Sequence, residues 1–238
     1  MTQPSITVPL GRGGALVDAV FVARPNQFLL ETLVAGEPAL AHLADRGRLL
    51  TTLVPEARLL LARQSGAGRK TAYQAVAAYA AHGLVSLDTV LPNRLIHAAL
   101  LAGALPALAG MVEVRPEVTV GGSRFDFLLT DAAGRRCIVE VKSAGDVRDG
   151  VARFPDAPTL RGARHLRELA DCAAGGDRAV ALFVAQGSVR QIELDAAIDP
   201  QLAATLADVR GRGVEVLGYS CALSRSGLEL GEAIPVIG

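Results

Sequence analysis

Residues 121–144, GGSRFDFLLTDAAGRRCIVEVKSA, carry two carboxylates and an ammonium inside runs that otherwise read as buried strands. Asp126 sits between Phe125 and Phe127. Glu140 and Lys142 interrupt Cys137-Ile138-Val139-x-Val141. With a side-chain period of two, Glu140 and Lys142 share a face with Ile138, and Asp126 shares one with Arg124 and Leu128. If 131–135 is the turn and Thr130 lies opposite Arg136, Asp126 faces Glu140; a two-residue loop would turn them to opposite faces. Two facing carboxylates repel unless a cation sits between them, and hard oxygen ligands select Mg²⁺ or Mn²⁺. Such an ion polarises a phosphodiester and acidifies a bound water, while a neighbouring lysine can hold that water or stabilise charge developing on phosphorus. The competing reading is a surface hairpin whose Asp, Glu and Lys form a solvated ion-pair cluster.

The elements that must position these groups fall into two parts. Residues 15–34 read as two strands broken by Arg24-Pro25-Asn26-Gln27, and further strands are expected at 57–63, 72–79 and 84–88. AYQAVAAYAA is read as strand, although alanine content alone would also allow helix. Many short strands predict a small barrel. From residue 90 the character changes. LPNRLIHAALLAG has helical spacing, with Pro92 near its start and Gly103 at its end. Strands at 112–120, 124–130 and 136–142 follow, then a helix at 159–173, a strand at 178–185, a helix at 199–210 and a strand at 214–220. That alternation predicts an α/β domain. The expected division is 1–85 and 86–238.

The chain has 238 residues, half of them hydrophobic, and a formal net charge of zero from 24 basic and 24 acidic residues. Zero net charge counts against a generally basic nucleic-acid binder unless charge is segregated. Only Lys70 and Lys142 are lysines among the basic residues; the rest are arginine. Lysine is a compact point charge that can coordinate water, so its retention at position 142 is informative. No apolar run is long enough for a bilayer, and MTQPSITVPLGRGG lacks a basic region followed by an apolar core, so a cytoplasmic protein is expected. Cys137, Cys172 and Cys221 have no zinc spacing and read as reduced thiols. His42, His82, His97 and His165 share no metal-ligand spacing. Gly66-Ala67-Gly68-Arg69-Lys70-Thr71 lacks the glycine that a phosphate-binding P-loop needs immediately before its lysine.

Asp, about a dozen residues, then Glu-x-Lys on adjacent strands resembles the PD-(D/E)XK nuclease core. Such cores often add an upstream acidic residue, and Glu117 in VRPEVTVGG is placed for that. The resemblance extends further. RFPDAPTLRGARHLRELADCA, GDRAVALFVAQ and AIDPQLAATLADVRGRGVEVLGY resemble the bacterial and archaeal sugar fermentation stimulation protein (SfsA) family. RPNQFLL, GRLLTTLVPEARLLLA, RKTAY and VSLDTVLPNRLIHAAL fit it in the same order. This resemblance covers nearly the whole chain. It implies an N-terminal OB-like barrel followed by a PD-(D/E)XK (restriction-endonuclease-like) α/β domain, and an association with DNA. It also implies Glu117, Asp126, Glu140 and Lys142 as the active-site positions, with the three carboxylates holding the metal. Asp45-Arg46-Gly47-Arg48 departs from the family's Asn-Thr-Gly-Arg.

Arg24, Arg46, Arg48, Arg69, Lys70, Arg94 and Arg124 are candidates to line a nucleic-acid path. Ordinary solvated surface is the competing reading. On the helix after Phe154-Pro155-Asp156, Arg161, Arg164 and His165 lie near an N-terminus suited to phosphate. Packing or capping suits His165 better than chemistry. The expected activity is nucleic-acid binding with Mg²⁺- or Mn²⁺-dependent phosphodiester hydrolysis, DNA being favoured over RNA. The alternatives are a non-catalytic DNA-binding regulator that keeps the nuclease fold as a scaffold, and a role outside nucleic acids with structural carboxylates.

Overall fold

The structure is a computed structural model that describes residues 5–45, 47–50, 52–66, 70–80 and 83–238. Two compact units divide it: Thr7–Leu91 with Leu223–Leu228, and a second built on Pro92–Ala222 and Glu229–Gly238.

The first unit contains β1 (Thr7–Val8), β2 (Leu16–Asn26), β3 (Leu29–Val34), β4 (Glu37–Leu43), β5 (Arg58–Arg63), β6 (Tyr73–Ala80) and β7 (Gly83–Ser86). Strands β2, β3 and β4 form an antiparallel meander, β2 also pairs with β5, and β5 with β6. The parallel pairing of β4 with β6, Ala41 opposite Tyr73 through Leu43 opposite Ala75, closes a five-stranded OB barrel. Its interior is Leu30, Ala41, Leu43, Leu59, Leu61 and Ala75, all fully buried. The alanine-rich segment is a strand because β6 is hydrogen-bonded on both flanks, and its small side chains let Leu59 and Leu61 fill the barrel. Strand β4 was not expected from EPALAHL, whose inward positions, Ala39, Ala41 and Leu43, include none of the β-branched or aromatic residues that announce a strand.

The second unit follows the helix α1 (Leu91–Leu101), which starts at the boundary. Its strands are β8 (Met111–Val120), β9 (Ser123–Asp131), β10 (Arg136–Ala144), β11 (Asp146–Arg148), β12 (Val151–Phe154), β13 (Arg178–Gln186), β14 (Gln191–Leu194), β15 (Val214–Ser224), β16 (Gly227–Ala233) and β17 (Val236–Ile237). Helices α2 (Leu160–Ala174) and α3 (Pro200–Gly211) lie between them in sequence. The main sheet runs β16-β15-β13-β10-β9-β8, with β8, β9 and β10 antiparallel and β10, β13 and β15 parallel. Leu166, Leu169 and Ala170 of α2 and Leu202, Leu206 and Val209 of α3 share one buried core with Ile138, Ala181 and Phe183 of this sheet. A second small sheet, β11-β12-β14-β17, was not foreseen. Strands this short lie below the length at which periodicity registers. The α/β architecture read from the sequence is the one observed.

Candidate active site

The hairpin between β9 and β10 sets the geometry. Its turn is closed by the Asp131 carboxylate, which accepts from the amides of Ala133 and Arg135 at 2.9 Å each, while Gly134 takes φ 79°. Thr130 is opposite Arg136, Leu128 opposite Ile138 and Phe127 opposite Val139. The next step in this register places Asp126 against Glu140. There the backbone ladder stops. Asp126 Oδ2 instead accepts from the amide of Val141 at 2.7 Å, so the carboxylate stands in for a strand carbonyl. Asn93 of α1 donates its side-chain amide to Oδ1 at 2.5 Å. Burial, and after it the negative charge of Glu140, pushes the Asp126 carboxyl above its ordinary range; the Val141 amide, Lys142 and Asn93 oppose that shift.

Glu140 is 5 % exposed. Its Oε1 accepts from Lys142 Nζ at 2.6 Å and meets His165 Nδ1 at 2.6 Å. An ionised carboxylate only accepts, so we assign the imidazole proton to Nδ1. Nε2 is then the acceptor, and Arg161 Nε approaches it at 3.5 Å, a long contact. Phe125 packs its ring edge against the imidazole, with centroids 6.0 Å apart. Among the described residues, Glu140 Oε2 accepts no hydrogen bond.

Glu117 does not join this group. Register brings it level with Asp126, between the pairs Pro116–Phe127 and Val118–Phe125. However, its backbone is left-handed at φ 52°, and its side chain lies 71 % exposed, 3.7 Å from Arg124. Pro116 cannot donate to the ladder, and the irregular backbone that follows carries the side chain into solvent. Among the described residues no three His, Cys, Asp or Glu side chains gather closely enough to hold a metal ion. The expected three-carboxylate set is therefore a pair in this arrangement.

The family models for "Sugar fermentation stimulation protein RE domain" and "SfsA N-terminal OB domain" match residues 90–227 and 22–87. A curated sugar fermentation stimulation protein homolog of Chloroflexus aurantiacus is 48% identical over 235 residues, covering 98% of this chain and 90% of the relative. The chain belongs to the sugar fermentation stimulation protein family. A Moorella thermoacetica member is 44% identical over 87% of this chain and 90% of its own. The solved structure of Pyrococcus furiosus SfsA in complex with Ca²⁺ superposes with a TM-score of 0.86 at 26% identity, covering 97% of this chain and 98% of that one.

In this SfsA-family chain the basic candidates divide by what already holds them. Arg24 donates to the carbonyls of Gly47, Arg48, Gln27 and Asp45 at 2.6–3.2 Å. Its guanidinium braces the loop after β4. His165 is 3 % exposed, and its ring nitrogens face Glu140 and Arg161 rather than solvent. Arg124 and Arg164 are 65% and 61% exposed and pair loosely with Glu117 and Glu168 at 3.7 and 3.9 Å. Exposed pairs of this length exchange readily for phosphate. Arg48, Lys70 and Arg161 are exposed, and Arg94 is half-buried on α1. Arg46 and Arg69 lie outside the described residues. Sequence reading missed Asn93 altogether, because nothing in TVLPNRL signals a partner 33 residues away. The four-residue step from Arg161 to His165 was the available signal for the contact on Nε2.

The donor set fits a divalent cation. Asp126 and Glu140 supply hard oxygens, Glu140 Oε2 is open, and the negative charge of Glu140, which after burial raises the Asp126 carboxyl, is what a cation between them would offset.

Proposed function

We propose that this protein binds nucleic acid in the cytoplasm and hydrolyses phosphodiester bonds with Mg²⁺ or Mn²⁺ held by Asp126 and Glu140. Residues 1–85 would engage the substrate strand and residues 86–238 would cut it. The observation that carries this reading is the meeting of Asp126, Glu140 and Lys142 where the β9–β10 ladder ends. The Pyrococcus furiosus relative in complex with Ca²⁺ supports a divalent cation. When bound, the cation supplies positive charge against a phosphoryl oxygen and an acidified water. Lys142, 12% exposed and 2.6 Å from Glu140, is placed to orient that water or to donate to charge developing on phosphorus. Glu117, carried in solvent on the neighbouring strand, is the third acidic group of the motif and would complete the set by turning inward. Arg48, Lys70, Arg69, Arg94, Arg124, Arg161 and Arg164 would contact phosphates. DNA is favoured over RNA. Single-stranded or branched forms suit an OB barrel, although with no Trp and only 4% aromatic residues, base stacking is a minor source of affinity.

One observation favours a second reading, a non-catalytic DNA-binding regulator. Lys142 is already bonded to Glu140, and Glu117 stands apart. The test incubates the protein with labelled single-stranded, duplex and flapped DNA and RNA in Mg²⁺, Mn²⁺ or EDTA, beside Lys142→Ala and Asp126→Asn. Metal-dependent cleavage lost in both variants supports hydrolysis. Equal binding by all three proteins without cleavage supports the regulator, and no binding at low salt overturns both.

A further inference from the structure

Each carboxylate of the pair is gripped by one helix-borne side chain to which the hydrolytic reading assigns no role. Asn93, in the first turn of α1, donates to Asp126 Oδ1 at 2.5 Å, and the Val141 amide takes Oδ2. His165 of α2 donates to Glu140 Oε1, the same oxygen that Lys142 takes. A carboxylate offers about four lone-pair sites. Asp126 therefore spends one on each oxygen, whereas Glu140 spends both of its bonds on Oε1 and keeps Oε2 whole. We infer that Asn93 and His165 are positioning residues that aim these two carboxylates so that their remaining lone pairs converge on one divalent cation. The inference rests on the hydrolytic reading and adds to it the groups that make the site a rigid ligand pair.

The placement of His165 argues for this role. It sits among Gly162, Ala163, Leu166 and Leu169 on the buried side of α2, where an apolar residue would pack without cost. A buried imidazole is retained there only with bonded nitrogens. Arg161 Nε on Nε2 favours the proton on Nδ1, which is the form that can donate to Glu140. Phe125 holds the ring plane from the side. Asn93 has the matching role on the other carboxylate. An amide donor there leaves the charge of Asp126 in place, where a lysine or arginine would cancel it and compete with a cation.

Isothermal titration of the full-length protein with Mn²⁺, without nucleic acid, tests the inference. The variants are Asn93→Leu, His165→Leu, His165→Asn and His165→Gln, each checked for native circular dichroism. Removing such a supporting contact weakens metal affinity about 10–100-fold, and that loss is expected for Asn93→Leu and His165→Leu. His165→Asn places its amide N–H where Nδ1–H stood and recovers most of the affinity. His165→Gln, equally polar but one carbon longer, does not. A purely structural role would treat these two amides alike, so the comparison stands even if His165→Leu fails to fold. In cleavage assays the loss appears as a higher Mn²⁺ concentration for half-maximal rate. Folded Asn93→Leu and His165→Gln proteins that bind Mn²⁺ as tightly as the wild type overturn the inference and leave the hydrolytic reading standing. A wild-type protein that binds no divalent cation overturns both.

Discussion

Replacing Asp126 by asparagine should make the protein more stable and unable to hold a cation, and the two effects have one cause. The Asp126 carboxyl is pushed above its ordinary value of 3.8, chiefly by burial and next by the charge of Glu140. The folded protein thus binds this proton more tightly than the unfolded chain does. Stability falls as pH rises from 3.8 through the raised folded value, and the whole cost is carried above it. Asparagine removes the charge and can keep both hydrogen bonds. Its oxygen accepts from the Val141 amide, and Asn93 turns its own amide so that its oxygen receives the new N–H. The gain expected for neutralising a strained functional group is about 0.5–2 kcal/mol. At roughly 2–4 °C per kcal/mol for a chain of this size, Tm should rise by about 1–8 °C. The assay is thermal unfolding in EDTA from about pH 8 down to about pH 3, where both proteins are uncharged at this position and the curves should converge. Added Mn²⁺ at one hundred times its Kd should then stabilise the wild type by about 2.7 kcal/mol and leave the variant unchanged. A variant less stable than wild type at pH 8, or a gap that persists undiminished at about pH 3, refutes the reasoning.

Lys142→Met keeps the aliphatic stem but strips the ammonium from a pair whose members are 12% and 7% exposed. Breaking a buried pair costs about 3–5 kcal/mol, and the low end is expected in urea titrations because His165 still holds Glu140. Arg24→Ala removes four donations to loop carbonyls. It should cost about 1–3 kcal/mol in chemical denaturation while leaving the salt dependence of nucleic-acid binding unchanged, which a phosphate contact would not do.

Local pattern made much of this protein legible. Alternation identified β9 and β10; the sequence allowed either turn length, and the observed register, Thr130 opposite Arg136, is the one that brings Asp126 against Glu140. Helix α2 is strongly amphipathic and buries Ala163, Leu166, Leu169 and Ala170 in the core that it shares with the sheet. The resemblance to SfsA proteins rested on motifs spread over nearly the whole chain, and it carried the barrel and the α/β domain together.

What pattern could not reach were contacts between residues far apart in sequence. Strand β4 exists because β3 and β6 pair with it from either side, not because EPALAHL prefers to be extended. Arg24 reads as a surface cation until the loop after β4 presents it with three carbonyls beside that of Gln27 in its own turn. Glu117 has the right spacing and the right register, and a left-handed backbone after Pro116 still carries it outward. Asn93 and His165 are unremarkable polar residues on helices until packing brings α1 and α2 to the two carboxylates. The sequence determined which groups could do chemistry and which neighbours share a face along each strand, since side-chain period is a local quantity. Their hydrogen-bond partners, and so their charge and aim, were decided only when non-local elements packed.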